Sequence, residues 1–419
     1  MDVRQSQWRL GMKVKIEPSQ VQGIIPVPSS KSMAHRAIIC ASLSKGVSKV
    51  GNITYSKDID ATISCMEALG AHIEKFDTYC IISGTDILNQ TGDRCLDCHE
   101  SGSTLRFLIP LASQVKGKVT FKGQGRLMSR PMEIYETLFK NQNLVYQQED
   151  TIQIQGNLKP GFYSIKGDVS SQFISGLLFL LPLLKQDSTL EILPPYESKS
   201  YVDLTLSMLK QFQIQIDTID ETHYFIKGNQ VYQSKDVLVE GDYSQMAFFA
   251  VLSHLNHPVT CLNMDPESLQ GDKAILSILK DYEKKKDVII DLSNCPDLGP
   301  VLCVLAAYHP YKTTILHAQR LRMKESDRIE AMETELRKWN VNIESTYNTI
   351  TIHGKKEYKM DEIVHIHGHN DHRIVMAMCI FGLCAKSESI IEDAQAITKS
   401  YPGFFKDILN INGKVTLYD

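Results

Sequence analysis

The sequence predicts an α/β fold of the α+β type: two similar globular domains, each of three repeated β/α units, with parallel buried helices inside a shell of sheets and outer helices. Three observations carry this. A single strand-junction-helix pattern recurs six times along the chain. The helix in each copy is apolar nearly all round, and such a helix must be buried on every side. At 419 residues the chain is also longer than one core ordinarily serves.

The six copies begin with "GIIPVPSSKSMAHRAIICASLSKG" at residues 23–46. They continue at 95–117, 163–187, 237–258, 288–310 and 364–388. Each opens on a short alternating strand, passes through a few Gly, Ser, Asp or Asn residues, and runs on as a helix of Ala, Leu, Ile and Phe. Strands such as "KVTFKG" and "TLEILP" follow most of them. Amphipathic segments lie between: "DIDATISCMEALGAHIE", "RPMEIYETLFKNQN", "YVDLTLSMLKQFQIQI" and "SDRIEAMETELRKWNVNI". Their apolar positions recur at three and four, as on an outer helix with one packed face. Three copies per domain give residues 21–239 as the N-terminal domain and 1–20 with 240–419 as the C-terminal domain. The hinge is then expected near residues 20–22 and 238–240.

Composition excludes several classes. A formal charge of -4 makes no general case for a nucleic-acid or membrane partner, so any basic site must be local. The longest apolar run, "FISGLLFLLPLL", is short and holds a proline, which suits a buried helix rather than a membrane span. Residues 1–11 lack a leader's apolar core and read as a polar extension. The ten cysteines are scattered, several within apolar helices, and read as free thiols of a reducing cytoplasm. "CLDCH" matches a haem-attachment spacing without the export signal such proteins carry, and zinc would need a second ligand pair. "HIHGHNDHR" at 365–373 suggests a metal site if His365, His367 and His369 share one strand face. As the sixth copy of the repeat, its "HIHGH" is the entering strand and its "NDHR" is the junction.

The junctions carry the chemistry. Lys31 and Arg36 lie at the first, Arg106 at the second, Ser170, Ser171 and Gln172 at the third, Asp297 at the fifth, and Asp371, His372 and Arg373 at the sixth. Serine and aspartate cap helices. Lysine and arginine oppose the dipole there, by about 0.3–1 kcal/mol each, so their repeated presence calls for an anion. Further polar clusters hold Arg130, Ser198 with Tyr201, Arg320 through Arg328, and Lys399. Two domains with such ends facing one another would form an anion-binding cleft.

The motifs "SKSMAHRA", "SGSTLRF", "SRPM", "SSQF", "CPDLGPVL", "MKESDRI" and "NDHR" occur in the order found in the 5-enolpyruvylshikimate-3-phosphate (EPSP) synthase family. The chain resembles that family from about residue 13 to about 405. The resemblance implies the inside-out α/β barrel of those enzymes, a cytoplasmic monomer, and no metal or cofactor. It also implies transfer of the enolpyruvyl group of phosphoenolpyruvate to the 5-hydroxyl of shikimate 3-phosphate.

Carried over residue by residue, the resemblance gives shikimate 3-phosphate Lys31, Ser32, Arg36, Ser170, Ser171, Gln172, Ser198, Asp297 and Lys324, with Tyr201 beside it. It gives phosphoenolpyruvate Lys31, Gly102, Arg130, Gln172, Arg328, His372, Arg373 and Lys399. Asp297 is implied as base for the 5-hydroxyl, and Glu325 as acid and base at the methylene carbon, with Lys31 assisting. His372 is implied as a donor to the leaving phosphate. Gly102 leaves room for the inhibitor glyphosate. Two positions depart from the family: Glu100 and Arg320 stand where asparagine is usual, and the asparagine roles are not carried over. The rivals are the UDP-N-acetylglucosamine enolpyruvyl transferases and a non-catalytic anion-binding relative. The first uses a loop cysteine that "GQGRLMSRP" lacks. The second gains nothing from carboxylates among its anion ligands.

Overall fold

The structure, a computed structural model, describes residues 11–418. The polar extension expected at the N-terminus lies outside the described residues except for Gly11. The chain divides into two compact units, one of Ser29–Glu240 and one of Gly241–Asp419 with the N-terminal stretch through Pro28. Each has its own hydrophobic core.

In the unit Ser29–Glu240 the apolar segments form three inner helices, Lys31–Leu43, Gly102–Ala112 and Ser171–Leu180. Ser30, Ser101 and Ser170 cap them, the first two accepting from the backbone N–H three residues on and Ser170 from that of Gln172, two residues on. The Phe107 ring meets Phe179 edge-on at 5.5 Å and His35 at 6.4 Å, which ties the three helices together. Gly176 permits the closest approach. A Cβ there would stand 2.3 Å from Tyr135 Oη and 2.5 Å from the Arg106 carbonyl, so no larger residue fits. Outside, Arg94–Asp97 runs parallel to Lys118–Lys122, followed in the sheet by Ile152–Gln155 and Val145–Gln148. Phe162–Lys166, Ser188–Leu193, His223–Ile226 and Asp217–Thr218 repeat that order. In each case the inner helix is the crossover joining the parallel pair.

The other unit repeats the plan with inner helices Tyr243–His254, Gly299–Tyr308 and His372–Cys384. Asp242 and Asp371 cap the first and third. The second grows out of a 3-10 turn, Pro296–Leu298, with Pro300 in its opening turn, where a missing N–H costs nothing. The last sheet is completed by the N-terminal strand Lys13–Glu17, seated between Ser389–Ile391 and Lys414–Tyr418.

Two of the six copies differ from the expected pattern. The strand Gly23–Pro26, leading the first copy, pairs with Val259–Leu262 of the fourth. The strand Val237–Leu238, leading the fourth, pairs with Val47–Gly51 of the first. The chain leaves each unit after these strands rather than before them, so each leading strand stays in the sheet it has just reached. The first crossing therefore falls at Pro28/Ser29 rather than near residues 20–22. The fourth copy also carries an outer helix, Ile275–Lys284, absent from the amphipathic segments picked out in the sequence. Among the described residues no helix is long and apolar enough to cross a membrane.

Candidate active site

Candidate residues fall into two groups, one in each unit. In the unit Ser29–Glu240 the first inner helix begins with Lys31, whose Nζ donates to Asp58 Oδ2 at 2.8 Å. Asp58 stands in the first turn of the helix Lys57–Ala68, where a carboxylate complements the dipole. One turn into the inner helix, Arg36 is buried. Its Nε donates to Thr205 Oγ1 at 2.8 Å, Nη1 to the Ser32 carbonyl at 2.7 Å and Nη2 to the Tyr201 carbonyl at 2.8 Å. Burial pulls its pKa down to about 10, which leaves it charged at neutral pH. Arg36 thus fastens the helix Lys199–Gln211, with Ser198 and Tyr201 at its start, to the Lys31 helix. Three of its five N–H donors are used in this way, and the guanidinium positions this wall.

Gly102 opens the second inner helix against a group of donors. A Cβ there would lie 2.8 Å from Arg130 Nη1, 3.4 Å from Arg106 Nη1 and 3.7 Å from Gln172 Oε1. Arg106 donates to Gln172 Oε1 at 2.9 Å, and the Gln172 amide donates to Ser103 Oγ at the same distance. Ser171 is buried at the helix start, and Ser170 spends its hydroxyl on the cap. Beside Arg130 opens a cavity of about 830 Å³ walled by Glu133, Glu136, Glu149 and Asp150, a charge that repels anions. Glu100, the departure at the second junction, is directed at the loop rather than at Gly102: a Cβ on Gly125 would stand 2.8 Å from Glu100 Oε2.

In the other unit Arg328, at the start of the helix Arg328–Arg337, is a buried hub for three carboxylates. Its Nη1 donates to Asp297 at 3.1 Å, Nη2 to Glu325 at 2.7 Å, and Nε to Asp371 at 2.8 Å. Asp297 also meets Lys324 Nζ at 3.2 Å and Arg373 Nη2 at 3.3 Å. Three carboxylates and three cations therefore share one site, balanced in charge. Burial lowers the Lys324 pKa from its ordinary value, with Asp297 pulling the other way. Burial alone would raise the Asp371 pKa, but Arg328 outweighs it and holds the carboxyl below its ordinary value. Ser326 Oγ adds a donor to Asp371 at 3.0 Å. Arg373 Nη2 donates to Ser244 Oγ at 2.9 Å, and Lys399 Nζ to the Asn370 carbonyl at 2.6 Å. His372 is buried, its Nδ1 3.8 Å from Asp371 Oδ1.

The histidine stretch needs a correction. Its strand ends at Ile366, so His365, His367 and His369 do not line one strand face. His367 and His369 lie in a loop where His369 and Asn370 take left-handed backbone angles, φ 53 and 49. Sequence reasoning also missed Asp58, Thr205 and Ser244. Each partners a candidate from a distant segment, and no local pattern marks such a pairing.

Among solved structures the fold is that of the enolpyruvyl transferases. EPSP synthase from Acinetobacter baumannii superposes with a TM-score of 0.78 at 22% identity, covering 97% of this chain and all of that one. The enolpyruvyl transferase NikO from Streptomyces tendae gives 0.75 at 12% identity, covering 98% and 99%. The family profile for EPSP synthase (3-phosphoshikimate 1-carboxyvinyltransferase) matches residues 16–408. A Clostridium kluyveri protein named 3-phosphoshikimate 1-carboxyvinyltransferase is 42% identical, over 96% of this chain and 98% of its own length. One of the same name from Clostridium perfringens is 44% identical over the same shares. The chain belongs to the EPSP synthase family.

Proposed function

We propose that the chain transfers the enolpyruvyl group of phosphoenolpyruvate to the 5-hydroxyl of shikimate 3-phosphate, releasing phosphate. The observation that carries this is the Arg328 hub, which holds Asp297 and Glu325 as two separate carboxylates amid matched cations. The reaction needs two such groups. Asp297 takes the 5-hydroxyl proton as that oxygen attacks C2 of phosphoenolpyruvate. Glu325, entering the cycle in its protonated form, gives its proton to the methylene carbon, forming a tetrahedral intermediate. The C–O bond to phosphate then breaks, Glu325 recovers its proton from the methyl group, and the hydroxyl proton leaves with phosphate.

Ser32, Ser171, Gln172, Ser198, Tyr201 and Lys324 serve shikimate 3-phosphate in this reading. Lys31, Gly102, Arg130, His372, Arg373 and Lys399 serve phosphoenolpyruvate, with Lys31 also reaching the first substrate. Arg36 serves shikimate 3-phosphate and Arg328 phosphoenolpyruvate with the N–H donors left beyond those that hold their neighbours. Ser170 acts through the helix start it caps. Glyphosate would occupy the phosphoenolpyruvate positions beside Gly102. The same reading has the chain act as a cytoplasmic monomer without metal or cofactor. Family membership and the absence of cysteine from residues 123–131 favour this reaction over transfer to UDP-N-acetylglucosamine. The test is release of phosphate with both substrates, with each omitted, and with UDP-N-acetylglucosamine in place of shikimate 3-phosphate.

A further inference from the structure

Seven residues beyond Arg328, on the same helix, stands Glu335. Seven positions are about two turns, so both side chains leave one face roughly 10 Å apart. Arg328 grips Asp371, at the end of the loop 367–371. Glu335 grips the beginning of that loop. Its Oε2 accepts from the His367 backbone N–H at 3.0 Å, and its Oε1 meets His369 Nε2 at 3.0 Å. Only 1% of the Glu335 side chain is exposed, and Lys338 Nζ, 2.7 Å away, compensates its charge. Lys338 also donates to the His365 carbonyl at 3.0 Å.

The loop between these two grips has little freedom. A Cβ on Gly368 would lie 2.2 Å from the Glu392 carbonyl. His369 and Asn370 follow with left-handed angles, a conformation side chains other than glycine adopt at a cost. The His369 N–H donates to His367 Nδ1 at 3.0 Å, and the Asn370 N–H to Asp393 Oδ2 at 2.9 Å. The loop delivers the Asn370 carbonyl to Lys399 and then Asp371, His372 and Arg373 at the helix start.

We infer that Glu335, which belongs to no ligand-binding motif of the chain, is a positioning residue for the reaction: with Arg328 it clamps the loop 367–371 from one helix face and so sets Lys399, His372 and Arg373. The inference rests on the proposed function for its kinetic consequence, but the clamp itself does not.

Two variants and two readouts test it. Glu335→Ala removes both grips, while Glu335→Gln keeps one acceptor oxygen. A displacement of the order of 1 Å costs up to about 10²-fold in rate. The expected result is a KM for phosphoenolpyruvate raised about tenfold or more in E335A, a KM for shikimate 3-phosphate changed less than about twofold, and partial rescue in E335Q. Hydrogen exchange read on amides 367–370 should quicken about tenfold or more in E335A, with less effect in E335Q. Variants that lose thermal stability but keep wild-type KM values and loop protection would overturn the inference. So would equal losses for both substrates. If the wild-type chain shows no turnover, the functional reading fails and the exchange measurement alone decides the clamp.

Discussion

Arg328 Nε donates to Asp371 Oδ2 at 2.8 Å, with the two side chains 1% and 0% exposed. Without the Asp371 charge Arg328 keeps Asp297 and Glu325 as partners but loses the acceptor of its buried Nε–H, which costs about 1–3 kcal/mol. Asp371→Asn keeps a capping oxygen for the helix His372–Cys384, removes the charge, and puts an amide N–H where Arg328 Nε and Ser326 Oγ had an acceptor. Chemical denaturation at pH 7 should therefore show a loss of that order. The pH dependence follows. The folded-state pKa of Asp371 lies below the ordinary 3.8, so its contribution is present above that value and is lost as pH falls through the depressed one. The wild-type chain should lose stability on acidification below about pH 4 more steeply than the asparagine variant.

Gly102→Ala places a methyl group 2.8 Å from Arg130 Nη1. The guanidinium must move, because a contact that short is not tolerated. The expected outcome is a KM for phosphoenolpyruvate raised about tenfold and a larger loss of glyphosate inhibition, with the KM for shikimate 3-phosphate nearly unchanged. Steady-state kinetics with and without glyphosate check this.

Thr205 accepts from Arg36 Nε at 2.8 Å and hydrogen-bonds Ser175 Oγ at 2.7 Å, all inside the protein. Thr205→Val fills nearly the same volume but leaves a buried guanidinium N–H without its acceptor. A cost of about 1–3 kcal/mol is expected in thermal or denaturant unfolding. A weaker hold on shikimate 3-phosphate should accompany it, because the helix that Arg36 secures begins at Lys199, beside Ser198.

Much of this was legible in the sequence because the six inner helices are apolar all round, and only burial on every side explains that. Their polar junctions were legible because Lys31 and Arg373 stand where a helix dipole repels them. The exchange of leading strands was not legible. Gly23–Pro26 and Val237–Leu238 alternate like their counterparts, and nothing in four or two residues states which sheet they join. The engagement of Arg36 and Arg328 was hidden too. A motif shows that a guanidinium is present but not that Thr205 or Asp371 will occupy its donors. Glu335 escaped notice because one glutamate on a charged outer helix looks like any solvated residue, and only folding buries it.

Asp297→Ala and Glu325→Ala should each lower turnover by about 10²–10⁴-fold, the usual worth of a positioned acid or base. The Glu325 carboxylate is hydrogen-bonded to Arg328 Nη2 and is assigned to the methylene carbon, so shikimate 3-phosphate affinity should change far less than turnover in E325A. Calorimetric titration of each variant with that substrate, beside a turnover assay, separates the two effects. A variant with normal turnover would remove that residue from the mechanism.

Phosphate release measures the joining of these two substrates most directly. Steady release is expected only when shikimate 3-phosphate and phosphoenolpyruvate are both present, and none when either is omitted. Release from phosphoenolpyruvate alone at the same rate, or no release with both, would contradict enolpyruvyl transfer.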